Sequence, residues 1–216
     1  MPELSIVRHY LSVRLLLAPL MLLLVCLPAS ASTILVIGDS LSDAYNMPRE
    51  AGWAHLLSER LGEDYRVINA SISGETTAGG IHRLNGLLEE YQPQVLLVIL
   101  GGNDGLRALS PRQIEENLAA MIKKGKSAGA RVGLMQIRMP PNLGPVYIRR
   151  FEEIYPRLAE VHGVELLPFF LDDLFDRPGM MMPDGIHPTT EAQPKMLERL
   201  WPALQSLLAD AETNSP

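Results

Sequence analysis

Four short segments of the chain hold residues whose types suit acyl transfer. Ser40 lies in Gly38-Asp39-Ser40-Leu41-Ser42, and Gly74 follows Ser73. Asn103 lies in Gly101-Gly102-Asn103-Asp104, and His187 in Asp184-Gly185-Ile186-His187-Pro188. A serine hydroxyl is a weak nucleophile until a neighbouring base takes its proton, and histidine is the usual base near neutral pH. The imidazole in turn needs a carboxylate that fixes its tautomer, and Asp184, three residues before His187, is near enough to serve. A tetrahedral intermediate also needs donors aimed at its oxyanion; the backbone N–H groups of Ser40 and Gly74 and the Asn103 side-chain amide are the candidates. Each segment alone is weak. A serine after a strand often caps a helix, and an asparagine after two glycines is often a turn residue.

These segments gain meaning from the elements that must position them. Apolar, β-branched runs at 33–37, 66–70, 95–100 and 132–137, with a weaker one at 164–167, predict buried strands. Apolar residues at three- and four-residue spacing predict helices at 53–61, 81–91, 111–128, 146–162 and 193–208. Such alternation makes a parallel sheet with helices on both faces, and ligands then bind at the carboxyl ends of the strands. The first three segments directly follow the first three strands, and the fourth opens the last helix, so all four are expected along one sheet edge. No repeat or linker divides the chain, and the polar stretch 211–216 is expected to form a tail.

Together the four blocks resemble those of the SGNH hydrolase superfamily, the GDSL esterases, with Ser40 in GDSLS, Gly74 in SGETTAGG, Asn103 in LGGND and His187 in DGIHP. Further stretches, LMQIRMP at 134–140, IYPRLA at 154–159 and LLPFF at 166–170, are similar to the bacterial periplasmic thioesterase I, lysophospholipase and arylesterase group. The resemblance spans nearly the whole chain after residue 31. It implies a flavodoxin-like α/β/α sandwich and hydrolysis of fatty-acyl esters and thioesters without metal or organic cofactor. It also implies Ser40 as nucleophile, His187 as base, Asp184 as its orienter, and an oxyanion hole of Ser40, Gly74 and Asn103. The loop after Asn103 closes over the acyl chain in similar enzymes, which makes Leu106 and Leu109 expected binding residues. Met182, the last of three methionines before Asp184, is a further candidate, although three flexible apolar side chains also serve to pack a loop down. One departure is Asp43, where the pattern GDSLSAGY has a small residue; an acid there is expected to disfavour anionic substrates.

Composition bounds the remaining possibilities. The chain has 216 residues, 47% of them hydrophobic and 20% charged, with a formal net charge of −6. No basic stretch is dense enough to attract a phosphate backbone, so nucleic acid is not an expected partner. Arg8 and Arg14 precede an apolar run at 15–27, and Pro28-Ala29-Ser30-Ala31 follows with small residues in an Ala-x-Ala pattern. That is the layout of a secretory signal peptide, with cleavage expected after Ala31 and export to the periplasm, and the run is too short to span a bilayer. Cleavage there removes the sole cysteine, Cys26, and leaves a monomeric hydrolase domain at 32–210 without a membrane anchor. Two other readings remain open. A carbohydrate acetyl esterase shares the superfamily, although aromatic residues make up only 6% of the chain. A flavodoxin-like binding module would require a phosphate-cradling glycine loop after a strand, and neither GxGxxG nor GxxxxGK[ST] occurs there.

Overall fold

In the computed structural model, which describes residues 31–213, five parallel strands form one sheet. They are β1 (Ser32–Gly38), β2 (Tyr65–Asn69), β3 (Val95–Ile99), β4 (Arg131–Met135) and β5 (Glu165–Leu167), in the order β2-β1-β3-β4-β5. Residues 1–30, which hold all but the last residue of the expected signal peptide, and residues 214–216 of the expected tail lie outside the described residues. Among the described residues seven α-helices connect or flank the strands: α1 (Trp53–Leu61), α2 (Thr77–Tyr91), α3 (Gly102–Leu106), α4 (Pro111–Ser127), α5 (Pro145–Glu152), α6 (Ile154–His162) and α7 (Gln193–Thr213).

The strand order dictates the layers. From β1 the chain steps outward to β2, then crosses back over β1 to β3 and continues to β4 and β5. With right-handed crossovers, α1 falls on one face and α2, α4 and α6 on the other. The packing agrees: α2 meets α4, α4 meets α6, and α7 returns to lie beside α1. This is the flavodoxin-like order, and its switch point lies between β1 and β3, where a crevice opens at the carboxyl ends. The core explains why the central strands read as continuous apolar runs. Ile34 through Ile37 and Val95 through Leu100 are inaccessible to solvent, as strands covered by helices on both faces must be.

Three elements differ from their sequence pattern. Helix α2 begins at Thr77 rather than 81, because Gly79 and Gly80 interrupt the apolar periodicity. Gly80 is nevertheless required, since a Cβ there would stand 2.4 Å from Leu100 and 2.5 Å from Met121. The helix expected at 146–162 is two helices. Pro156 has no N–H for the Glu152 carbonyl and its ring crowds that carbonyl; Gln136 Nε2 donates to the freed oxygen instead, at 3.2 Å. At the other end of the chain, α7 runs to Thr213, into the segment expected as tail.

Candidate active site

Ser40, Gly74, Asn103 and His187 meet at the switch-point edge. The loop after β1 carries Ser40, and the Ser40 hydroxyl and His187 Nε2 are 2.9 Å apart. His187 Nδ1 lies 2.7 Å from Asp184 Oδ2. A carboxylate can only accept, so Nδ1 carries the imidazole proton and Nε2 is left to accept from the serine hydroxyl. Asp184 Oδ1 accepts two backbone bonds, from Ile186 N–H at 2.9 Å and His187 N–H at 3.0 Å. Although its partial burial works in the opposite direction, the His187 and Ile186 N–H groups and the imidazole hold Asp184 down at about 2. It therefore remains an anion throughout the range in which histidine titrates.

The oxyanion candidates stand on two further loops. Gly74 has φ +80°, in the left-handed region that glycine tolerates, and a Cβ at Gly74 would meet nothing. Neither Ser40 N–H nor Gly74 N–H donates to another group among the described residues. Asn103 lies at the start of α3, behind Gly101 at φ +117°. Its Nδ2 donates to the Glu75 carbonyl at 3.0 Å and to Asp39 Oδ2 at 3.2 Å. Asp39 is 3% exposed. Burial pushes its carboxyl up to about 6, against the lowering effects of the Leu41 N–H, the Asn103 amide and His187.

Several side chains brace these loops, of which Asp104 and Arg107 were not singled out in the sequence. Asp104 is 2% exposed and accepts from Thr77 N–H at 2.9 Å and Thr77 Oγ1 at 2.6 Å, fastening α3 to the start of α2. Arg107 Nη2 donates to the Gly74 carbonyl at 3.2 Å. Asp43 accepts from both Ser73 N–H, at 3.1 Å, and Ser73 Oγ, at 2.8 Å. The departure at Asp43 is thus a tie between the serine loop and the glycine loop, and its carboxylate is already engaged rather than held out toward substrate.

Beside Ser40 and His187 lies a cavity of about 480 Å³, within the usual range for a small-molecule pocket. Leu41, Leu106, Ile137, Met139, Phe169, Phe175 and Ile186 give it an apolar wall, and the Arg138–Asp172 ion pair lies at its margin. Leu106 is on that wall, whereas Leu109 and Met182 do not line the cavity. Leu109 is exposed, and its carbonyl accepts from the Tyr147 hydroxyl at 2.8 Å. Met182 serves the loop backbone, its N–H donating to the His187 carbonyl at 2.8 Å, while Met180 and Met181 pack against the core. Among the described residues no cluster of His, Cys, Asp and Glu is placed to hold a metal ion, and no helix is long and apolar enough to cross a membrane.

The sequence profile of the GDSL-like lipase/acylhydrolase family matches residues 36–193, which takes in every one of these loops. The chain belongs to the GDSL-like lipase/acylhydrolase family. This acylhydrolase is 48% identical over 192 residues to esterase TesA of Pseudomonas aeruginosa, covering 88% of this chain and 96% of that one. It is 45% identical over 180 residues to thioesterase 1/protease 1/lysophospholipase L1 of Escherichia coli K12, with 83% and 86% covered. Among solved structures, the psychrotrophic esterase EstA of Pseudoalteromonas sp., inhibited by monoethylphosphonate, is 39% identical with a TM-score of 0.79. That match covers 82% of the acylhydrolase and 99% of EstA. The protein is a carboxylic ester hydrolase, and the order of its strands is that of an α/β/α sandwich.

Proposed function

We propose that the acylhydrolase cleaves fatty-acyl esters and thioesters through a Ser40–His187–Asp184 triad and an acyl-enzyme intermediate. The observation that carries this reading is the hydrogen-bonded line from Ser40 through His187 to Asp184, beside a largely apolar cavity of about 480 Å³. In the first step the Ser40 Oγ–H proton passes to His187 Nε2 as Oγ bonds to the acyl carbon. The carbonyl π pair moves onto oxygen, where the Ser40 and Gly74 N–H groups and the Asn103 amide are the proposed donors. Collapse expels the alkoxide or thiolate, which takes the proton from the imidazolium. Water then repeats the sequence on the acyl-enzyme and releases the fatty acid.

The apolar wall favours chains longer than acetyl over a sugar acetate. Each methylene buried contributes up to about 0.8 kcal/mol, so four more carbons gain roughly 3 kcal/mol, about a hundredfold in kcat/KM if retained in the transition state. On p-nitrophenyl and acyl-CoA ladders from acetyl to decanoyl, kcat/KM is expected to climb with length. Leu106→Ser combined with Phe175→Ser flattens the climb and spares acetyl, while Leu109→Ser leaves the profile alone. A parent enzyme that prefers acetyl refutes the fatty-acyl assignment and favours the carbohydrate esterase.

We also propose that residues 1–31 are an export leader and that the mature enzyme, 32–216, acts as a monomer in the periplasm. The placement of β1 supports this, since its first residue is Ser32 and cleavage after Ala31 removes nothing from the sheet. Protein recovered from the periplasm of a Gram-negative host is expected to begin at Ser32; Met1 retained in the membrane fraction refutes the cleavage.

A further inference from the structure

Tyr45 lies face to face with His187, its ring centroid 4.1 Å from that of the imidazole and the planes 26° from parallel. It is 36% exposed, stands outside the hydrophobic core, and its hydroxyl has no hydrogen-bond partner among the described residues. The backbone delivers it at a conformational cost. Ala44 and Asn46, on either side, both have left-handed backbone, at φ 55° and φ 54°, where residues other than glycine are uncommon.

The surrounding contacts hold that shape. Asn69 Nδ2 donates to the Ser42 carbonyl at 2.6 Å, and Asp43 is tied to Ser73. Met47 N–H returns to the Ala44 carbonyl at 3.2 Å. Gly52 makes room for Ala44, whose Cβ lies 3.0 Å from where a Gly52 side chain would begin. A loop fixed from both sides in a sparsely populated conformation, with one aromatic ring at its apex on the imidazole, is built to place that ring.

We propose that Tyr45 is a positioning residue for the general base: its ring confines the His187 imidazole to the plane that faces Ser40, and its π face stabilises the imidazolium formed during acyl transfer. Asp184 fixes the edge of the imidazole but leaves its faces unconstrained; the tyrosine covers one of them. A cation over an aromatic face is attracted by the ring quadrupole, and this attraction grows when His187 accepts the serine proton, so it favours the transition state over the ground state. The inference rests on His187 being the base.

The test is a comparison of Tyr45→Phe and Tyr45→Leu on p-nitrophenyl butyrate. Tyr45→Leu is expected to lower kcat about tenfold with KM changed less than twofold, while Tyr45→Phe, which keeps the ring, stays within twofold of the parent. Both should melt within a few degrees of the parent. In proton NMR the ring-current displacement of the His187 ring signals should persist in Tyr45→Phe and vanish in Tyr45→Leu. In a His187→Ala background, Tyr45→Leu should cost nothing further, because the pair then no longer exists. The proposal is overturned if Tyr45→Leu leaves kcat intact, if Tyr45→Phe falls as far as Tyr45→Leu, or if the loss persists without His187. Failure of the underlying assignment has a different signature, a His187→Ala enzyme that keeps its activity.

Discussion

Ser40→Ala should fold like the parent and lose ester hydrolysis by roughly 10⁴- to 10⁶-fold in kcat, the scale on which removing the nucleophile leaves a triad hydrolase with only its oxyanion donors and binding. Folding is spared because the hydroxyl is half-buried and its contact is the single bond to His187, so the cost is about 1 kcal/mol. The structure also separates Ser40 from its neighbour. Ser42 is 1% exposed, and its hydroxyl has no partner in the loop. It can neither be reached by substrate nor be activated by His187. An organophosphonate should therefore add to the Ser40 hydroxyl, and Ser42→Ala should stay active. Peptide mapping that finds the adduct on Ser42, or a Ser40→Ala enzyme within a hundredfold of the parent, refutes the assignment.

The parts of the molecule legible in the sequence are those set by local pattern. Helix α1 occupies the residues its periodicity predicts, and the strands fall within one or two residues of their apolar runs; β1, β3 and β4, covered on both faces, admit little else, whereas the edge strand β2, expected as buried, is only partly so. The meeting of Ser40, His187 and Asp184 was legible for a related reason. In a parallel sheet every strand end lies on one edge, so residues far apart in sequence are brought together by topology alone. What escaped depends on contacts between distant segments. Nothing local shows that Asp43 will find Ser73 or that Tyr45 will cover His187. The apolar cavity wall draws on Ile137, Phe169 and Phe175 from loops after β4 and β5, whereas proximity in sequence to Asn103 pointed to Leu109, which does not line it. The break at Pro156 was visible in principle. A proline at the third position of a helix is tolerated, however, and only the fate of the Glu152 carbonyl reveals that α6 starts afresh there.

Asn103→Ala is the second large effect, a fall in kcat of roughly 10²–10³ with little change in KM, since the lost bond to the oxyanion forms mainly in the transition state. The amide has two hydrogens. One is committed to the Glu75 carbonyl beside Gly74, and the other goes, at a longer 3.2 Å, to Asp39. The Asp39 bond is the one that can be exchanged for an oxyanion forming next to the Ser40 and Gly74 N–H groups. The same geometry gives the substitution a second, pH-dependent signature. Burial raises the Asp39 carboxyl to about 6. A carboxyl raised in the folded state contributes stability that is fully present below its unfolded value near 4 and is lost as pH rises through the folded value. Asn103 stabilises the ionised form, so deleting it raises the folded value further. The stability deficit of Asn103→Ala should then be small at pH 4 and widen up to about pH 7, which melting temperatures across that range measure directly. A turn residue with no part in the chemistry gives the opposite pair of results: kcat per folded molecule holds, and the deficit is flat with pH. A flat deficit with the loss in kcat intact leaves the oxyanion role standing but removes Asp39 as the partner that the second hydrogen serves in the free enzyme.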